Sequence, residues 1–362
     1  MRIGHLSDLH IGSKGFGIFK RKEKLRENLT STHEGGLLDT ILKSKVEAVI
    51  ISGDLFDNDH PTFDDQDCLR KFIDELRYAD ILVVGCTGNH EKQTGSMVQA
   101  SDFFFKPVDL KELSYEVDIQ LFNHHHRSEL KALAETCRES EIIVLHQSMF
   151  GFLPDIMRPE IDEEVGNIFA EKCSYLALGD LHIHKKMYLN SMKCCAAYPG
   201  TIDFLRIGEP NKFGLWVFDT KLLTTESVEF KPLQKTHIFN FTKTEDREKF
   251  ENVLKDAECD FFITAGHHTD PYMKEVERQL KEKEMGSASF CYRSVWLPED
   301  DSEDANDKNA KQIIDASNDD GFIEIINKSK IIEDDDKKLA TDLWRAKNPQ
   351  SIENLLRMEL DN

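Results

Sequence analysis

Residues 1–12 read MRIGHLSDLHIG, and this stretch indicates the fold. Its apolar run from Arg2 to Ser7 has the length and composition of a buried strand. The run leads directly into Asp8 and His10, whose side chains are good metal ligands. A strand that ends in polar residues places them at the rim of a sheet, where open α/β sheets bind their ligands. The stretch therefore predicts a strand that carries part of a site at its carboxyl end.

The same arrangement recurs in four further places, each a short apolar run followed by Gly, Asp, Asn or His residues. The runs and the blocks after them are Ala48–Ser52 with Gly53-Asp54, Ile81–Cys86 with Gly88-Asn89-His90-Glu91, Ile142–Leu145 with His146, and Tyr175–Leu178 with Gly179-Asp180-Leu181-His182. One such block is weak support for a site. Five blocks in order, each at a strand end, predict one site assembled at the rim of a sheet.

The residue types in these blocks suit a two-metal phosphoesterase. Two divalent cations about 3.5–4 Å apart can clamp the attacking and leaving oxygens of a displacement at phosphorus. One carboxylate has to bridge them, and Asp54 is the natural candidate. No Cys lies in any block, which argues against a thiolate zinc site. The predicted ligands are carboxylates, an amide and imidazoles, namely Asp8, His10, Asp54, Asn89, His146, Asp180 and His182.

His90 is the candidate catalytic residue. It directly follows the predicted ligand Asn89, and its imidazole can transfer a proton near neutral pH. We expect it to act as a general acid at the leaving oxygen.

These blocks resemble the signature of the calcineurin-like metallophosphoesterase superfamily, which runs D-x-H, G-D, G-N-H-D/E, a lone His and G-H-x-H. More specifically, the chain is similar to the SbcD / Mre-eleven family of DNA double-strand-break repair nucleases. Three segments carry this second resemblance, and two of them include residues that are not metal ligands. The segments are Ile3–Gly12, Ser52–Asp57 followed by Pro61, and Tyr175–Gly179 followed by Tyr198-Pro199-Gly200-Thr201.

The resemblance implies both a fold and a function. The fold is an α/β metallophosphoesterase sandwich, two mixed β-sheets flanked by helices, with a smaller α/β capping domain and a helical C-terminal tail. The function is exonuclease and endonuclease cleavage of DNA that depends on two Mn²⁺ ions, with Fe or Mg as alternatives. A homodimer and an SbcC-like coiled-coil ATPase partner in break repair and homologous recombination are also implied. Two alternatives stay open: a phosphoesterase acting on a small nucleotide or phosphoprotein, and an inactive scaffold.

The last block departs from the family pattern. Asp180 stands where G-H-x-H has a metal-binding His, in the register that Gly179 defines. A carboxylate can still bind a hard cation, so the site is expected to survive with an altered metal preference. In a second register, His182-Ile183-His184 is the His-x-His pair and His184 completes the site.

The net charge of −21 weighs against simple electrostatic binding to DNA, because DNA affinity normally rests on Lys and Arg contacts to phosphates. Small basic clusters remain at residues 20–26 and at Lys185-Lys186. Arg21, Lys185 and Lys186 are predicted to contact the DNA backbone, with an ordinary solvated surface as the alternative. We also expect a partner to help in binding DNA.

Composition divides the chain into four segments. Residues 1–232 form the predicted nuclease domain, and 233–298 alternate strands and helices as a small α/β capping domain would. Residues 299–332 open with a run of acids and are a predicted acidic linker. The tail, 333–362, contains an apolar helical stripe. It can fold back on the second domain or dock a partner helix, and the resemblance implies docking to the ATPase.

The sequence predicts neither a membrane segment nor a signal peptide. No apolar run approaches the ~18 residues of a membrane span, and Asp8 and His10 interrupt the apolar start. Eight cysteines without a C-x-x-C pair predict reduced thiols. We therefore expect a cytoplasmic or nucleoid-associated protein.

Overall fold

The computed structural model divides the chain into two compact units. The first comprises Met1–Leu205 with Pro210–Lys235, and the second comprises Arg206–Glu209 with the residues from Thr236 onward. The division falls between Lys235 and Thr236, near the predicted boundary after residue 232. The residues that the structure describes are 1–91, 117–153, 158–190, 193–207, 209, 212–287 and 289–297.

The first unit contains two mixed β-sheets. Its strands in the described residues are β1 (Arg2–Leu6), β2 (Ala48–Ser52), β3 (Leu82–Cys86), β4 (Ile119–Leu121), β5 (Ile142–His146), β6 (Tyr175–Gly179), β7 (Lys185–Leu189), β8 (Cys194–Tyr198), β9 (Gly214–Asp219) and β10 (Thr224–Glu229). The sheets have the spatial orders β10-β9-β1-β2-β3 and β4-β5-β6-β8-β7. Strands β1, β2 and β3 are parallel, as are β4, β5, β6 and β8, whereas β7, β9 and β10 pair antiparallel with their neighbours.

The two sheets pack face to face through apolar side chains. Ile3, Ile50 and Val84 from the first sheet share one buried cluster with Val144 and Ala177 from the second. Burial of apolar surface stabilises a fold by about 25 cal/mol per Å², so this interface is a main source of stability for the unit. The predicted sandwich of two mixed sheets is confirmed.

Helices flank the sandwich. In the described part of the first unit they are α1 (Phe19–Thr30), α2 (Leu37–Lys43), α3 (Phe63–Tyr78), α4 (Arg127–Thr136) and α5 (Glu163–Lys172). Leu130 of α4 and Phe169 of α5 pack on the outer face of the second sheet, against Ile143 and Leu176. Helix α3 contacts β3 at the edge of the first sheet. The parallel strands thus have the covered faces that βαβ connections require.

The second unit is a small α/β fold. Its elements are β11 (Thr236–Asn240), α6 (Thr244–Asp256), β12 (Phe261–His267), α7 (Pro271–Gly286) and β13 (Cys291–Leu297). The three strands are parallel, in the order β11-β12-β13. Phe250 of α6 and Met273 of α7 pack with Phe239 and Phe262 of the sheet in an aromatic-rich core. This alternation matches the predicted small α/β domain, whose capping role stays a prediction.

Two of the predicted segments, the acidic linker at 299–332 and the helical tail at 333–362, lie outside the described residues. Within the described ranges, no helix combines the length and the apolar character needed to cross a bilayer.

Candidate metal centre

The loops that leave β1 and β2 hold three predicted ligands in left-handed backbone conformations. Asp8, His10 and Asp54 have φ angles of 52°, 44° and 45°. The loops are joined by hydrogen bonds from Asp8 N–H to Gly53 O (3.2 Å) and from His10 N–H to Asp54 O (3.0 Å). Such conformations cost about 1–3 kcal/mol each in non-glycine residues and cluster at functional sites. The strained backbone positions in these two loops are therefore positions of predicted metal ligands.

The second sheet brings its own loops to the same place. His146 is the last residue of β5, and Asp180 follows β6 directly. Gly179 permits this approach, because a side-chain carbon there would overlap the main-chain oxygen of Ser52 on the first sheet. The Asp180 N–H then donates to Oδ1 of Asp8 (3.2 Å). Residues that are up to 172 positions apart in the chain are thereby brought into contact.

Asp54 lies between two groups of predicted ligands. Its Oδ1 is 3.3 Å from Nε2 of His146, and its Oδ2 is 3.6 Å from Nε2 of His10. Each carboxylate oxygen thus faces a different imidazole. This is the arrangement that a carboxylate needs if it is to bridge two cations, as the sequence predicted for Asp54.

The first group consists of Asp8, His10 and His182. Nε2 of His10 is 3.0 Å from Nε2 of His182. Both nitrogens are close to Oδ1 of Asp8, at 3.9 Å for His10 and 3.8 Å for His182. One ligand atom from each residue falls within 4.8 Å of the other two, a spacing that one metal ion can span.

The second group is formed by Asp54, Asn89 and His146. Nε2 of His146 is 3.2 Å from Oδ1 of Asn89 as well as 3.3 Å from Asp54. On the other side of the ring, Nδ1 donates to the main-chain oxygen of Ser52 (2.7 Å). That bond holds the proton on Nδ1 and turns the Nε2 lone pair toward the other two ligands.

The structure also separates the two registers of the last block. His182 is a member of the first group, whereas His184 makes its contacts elsewhere. The His184 ring stacks on Trp216 at a centroid distance of 4.4 Å, and its nitrogens bond Pro199 O (2.9 Å) and Ser227 Oγ (2.6 Å). The geometry therefore favours the register in which Asp180 and His182 are the pair.

The donor set fits divalent cations. Asp8 and Asp54 are buried, and within the described residues their ion-pair partners are all histidines. Oδ2 of Asp8 is buried without a hydrogen-bond partner. A buried carboxylate without a compensating charge costs several kcal/mol, so this pair of carboxylates calls for a cation. Carboxylate, amide and imidazole donors suit Mn²⁺, Fe²⁺ or Zn²⁺.

The buried carboxylates and imidazoles of the site also shift one another's pKa values. Burial raises the pKa of Asp54, but the imidazoles of His146, His10 and His90 outweigh that effect and lower it below its usual value. Burial lowers the pKa of His146, and the Asp54 carboxylate, followed by Asp8 and Asp180, raises it well above its usual value. A cation that binds here has to displace the proton from His146, so its affinity depends on pH.

His90 lies beside the two groups without belonging to either. Its Nδ1 donates to the main-chain oxygen of Asp57 (2.8 Å), and its Nε2 is 3.8 Å from Oδ2 of Asp54. The ring meets that of His10 edge-on at 4.9 Å, and about 28% of the side chain is exposed. Nε2 therefore faces the site and remains accessible to a substrate.

Two residues near the site were not among the sequence predictions. Oδ1 of Asp57 is 3.3 Å from Nδ1 of His10, on the side of the ring opposite the Nε2 atom that faces the other ligands. Glu91 is buried and accepts the N–H groups of Phe56 (2.7 Å) and Gly88 (2.8 Å). Burial, followed by the charge of Asp54, raises the pKa of Glu91 to about 7. Both residues lie inside quoted motifs, which is the signal that could have identified them.

The prediction that Arg21 contacts DNA is wrong. The Arg21 side chain is fully buried, and its guanidinium bonds Asp203 (2.6 Å), Gln234 (2.9 Å) and Phe204 O (2.8 Å). One side chain of a basic run on a helix can face the interior, and here Arg21 pairs with the buried carboxylate of Asp203. The sequence alone does not show which side chain of the run faces inward.

Lys185 and Lys186 lie on β7, the edge strand of the second sheet. Lys185 is exposed, with Nζ 3.4 Å from Gly151 O. Lys186 is half-buried, and its Nζ donates to Thr225 O and lies 5.1 Å from the ring centroid of Trp216. Their contact with DNA stays a prediction, for which Lys185 is the better placed of the two.

A family model for the calcineurin-like phosphoesterase domain matches residues 1–165. The chain is also 25% identical over 223 residues to the DNA double-strand break repair protein Mre11 of Methanosarcina acetivorans, covering 56% of this chain and 34% of that protein. Residues 1–165 thus match a calcineurin-like phosphoesterase domain, and the chain is similar to Mre11/SbcD-like metallophosphoesterases.

The chain is also similar to two further proteins. Mre11 of Saccharolobus solfataricus is 26% identical over 259 residues, covering 64% of this chain and 65% of that protein. The uncharacterized metallophosphoesterase YhaO of Bacillus subtilis is 25% identical over 237 residues, covering 59% and 56%. The chain spans from about a third to two thirds of the length of these three relatives.

Proposed function

We propose that this metallophosphoesterase is a metal-dependent DNA nuclease that acts in double-strand-break repair. In this proposal Asp54 would be a ligand of both of two Mn²⁺ ions. Asp8, His10 and His182 would help to hold one ion, and Asn89, His146 and Asp180 the other. The observation that carries the proposal is the pair of oxygens on Asp54, which face His146 at 3.3 Å and His10 at 3.6 Å.

The chemistry that two bound cations supply is activation of a water molecule and neutralisation of charge on the phosphate. The chain's own residues orient the reaction. Ser52 O accepts from Nδ1 of His146 and keeps its Nε2 facing the site, and the Asp57 carboxylate lies 3.3 Å from Nδ1 of His10. His90 donates a proton from Nε2 to the departing sugar oxygen, while its Nδ1 is anchored on Asp57 O. General acid catalysis of this kind typically contributes about 10²–10⁴-fold.

DNA is the proposed substrate because relatives over more than half of this chain are named DNA double-strand break repair proteins. Residues 233–298 are proposed to act as a capping domain, and Lys185 and Lys186 as contacts to the phosphate backbone. With a net charge of −21, the protein has a weak electrostatic attraction for DNA by itself. We therefore propose an SbcC-like ATPase, bound by residues 333–362, as the partner that supplies the remaining affinity, and a homodimer as the working form.

A phosphoesterase that acts on a small nucleotide or phosphoprotein is the second candidate. The strongly acidic composition favours it over cleavage of DNA. The test is to incubate the protein with linear duplex DNA, single-stranded DNA and a chromogenic phosphodiester, with and without Mn²⁺. Cleavage of duplex DNA that needs Mn²⁺ supports the nuclease. Turnover of the chromogenic ester without any cleavage of DNA would select the second candidate, and no turnover would leave an inactive scaffold.

A further inference from the structure

Three polar side chains lie buried between the two sheets of the first unit, just below the metal centre. His5, Ser52 and Tyr175 are each 0% exposed and come from β1, β2 and β6. Tyr175 belongs to the same buried cluster as Ile3 and Ala177, so the surroundings are apolar. Polar groups in such a layer are costly unless they are hydrogen-bonded, and their presence calls for an explanation.

The three side chains form one continuous chain of hydrogen bonds. Nδ1 of His5 is 2.8 Å from the hydroxyl of Tyr175, and Nε2 of His5 is 2.8 Å from Oγ of Ser52. The Ser52 hydroxyl donates to Leu6 O (3.4 Å), so its oxygen accepts from Nε2–H of His5. Burial lowers the pKa of His5 to about 3, which keeps the ring neutral. Nδ1 of His5 is therefore an acceptor, and Tyr175 donates to it.

These hydrogen bonds link the two sheets, and Ser52, at one end of them, also contacts the proposed ligand His146. Tyr175 belongs to the second sheet, whereas His5 and Ser52 belong to the first. The main-chain oxygen of Ser52 accepts the Nδ1–H of His146 across the same interface (2.7 Å). Ser52 is thus hydrogen-bonded to His5 through its side chain and to His146 through its main-chain oxygen. It also directly precedes Gly53 and Asp54, the loop that carries the proposed bridging ligand.

We propose that His5, Ser52 and Tyr175 are positioning residues for the ion that Asp54, Asn89 and His146 hold. They set the separation of the two sheets at Ser52, and with it the distance from His146 to Asp54. The inference rests on the metal centre of the proposed function but not on its DNA substrate. Groups that orient metal ligands from behind typically contribute 10–100-fold to metal affinity. Asp8 and His10 bond the main-chain oxygens of Gly53 and Asp54 rather than that of Ser52, so the ion that they would hold with His182 should be much less affected.

The test is Tyr175→Phe, which removes one hydroxyl and keeps a ring that can stack on Phe218 (4.7 Å between centroids). Mn²⁺ binding to the full-length protein is measured by calorimetric titration without nucleic acid. We expect one of two binding steps to weaken by about 10-fold or more and the other to stay within a few-fold. Tyr198→Phe is the matched control, since Tyr198 is equally buried but donates to Gln147 O (2.6 Å), which follows β5 of the same sheet, so that this bond does not link the two sheets. We expect the control to retain both binding steps.

A second variant and a second measurement separate positioning from a loss of folding. Ser52→Ala removes the hydroxyl but leaves the carbonyl that His146 needs, and it should weaken the same binding step. Far-UV circular dichroism of metal-free Tyr175→Phe and Ser52→Ala should match that of the wild type and of Tyr198→Phe, which separates the weaker binding step from a loss of folding. Equal weakening of both steps, or the same response in Tyr198→Phe as in Tyr175→Phe, would refute the positioning role. A wild-type protein that binds no pair of Mn²⁺ ions would instead refute the metal centre itself.

Discussion

Replacing His90 by serine tests the catalytic assignment most directly. The imidazole contacts Asp57 O and faces Asp54 from 3.8 Å, but it completes neither group of proposed ligands. The main-chain N–H of His90, which donates to Oδ1 of Asp54 (3.2 Å), is retained in His90→Ser. Metal content should therefore stay near that of the wild type. Loss of a general acid should slow DNA cleavage by about 10²–10⁴-fold, which corresponds to roughly 3–5 kcal/mol of barrier.

The assay compares two substrates. Cleavage of DNA expels a sugar alkoxide that needs a proton, whereas a nitrophenyl phosphodiester expels a stable anion that does not. His90→Ser should accordingly lose far more activity on DNA than on the nitrophenyl ester, with Mn²⁺ content measured by mass spectrometry. His60→Ser is the control, because the His60 side chain is 62% exposed and pairs with Asp59, which is not a proposed ligand. Asp54→Asn should lose metal. Equal metal loss in His90→Ser and Asp54→Asn, or equal rate losses on the two substrates, would refute the assignment.

Three further predictions concern other parts of the chain. Asp180→His should shift metal preference toward zinc or iron, because imidazole is a softer donor than carboxylate; unchanged metal content and rate in Asp180→Ala would show that Asp180 is not a ligand. Deleting residues 333–362 should abolish co-elution with a cognate SbcC-like ATPase in gel filtration and leave ester hydrolysis unchanged, whereas a fall in thermal stability would make the tail part of the fold. Arg21→Met leaves the buried Asp203 carboxylate without its ion-pair partner and should reduce the free energy of unfolding, measured in urea, by about 3–5 kcal/mol. The control is Lys24→Met, which removes an exposed ion pair with Glu27 and should change the free energy of unfolding little.

The sequence alone was enough for the fold class and for the choice of ligand types. Apolar runs that end in Asp, His or Gly-Asn-His have the signature of strand ends, and residues at the carboxyl ends of parallel strands must share one edge. Asp54 could be proposed as the bridge because a two-metal site needs a shared carboxylate. These conclusions depend on the local pattern of apolar residues and on the chemistry of the donor side chains, both of which can be obtained from one sequence.

Only the tertiary structure decided where individual side chains point. His182 and His184 are two residues apart, yet one meets His10 at 3.0 Å and the other stacks on Trp216. Arg21 sits in a basic run but pairs with a carboxylate 182 positions away. The link from His5 to Tyr175 spans 170 positions and has no local signal at all. Contacts of this kind depend on which faces of distant strands and helices come together, and a local pattern of residue types carries no information about that.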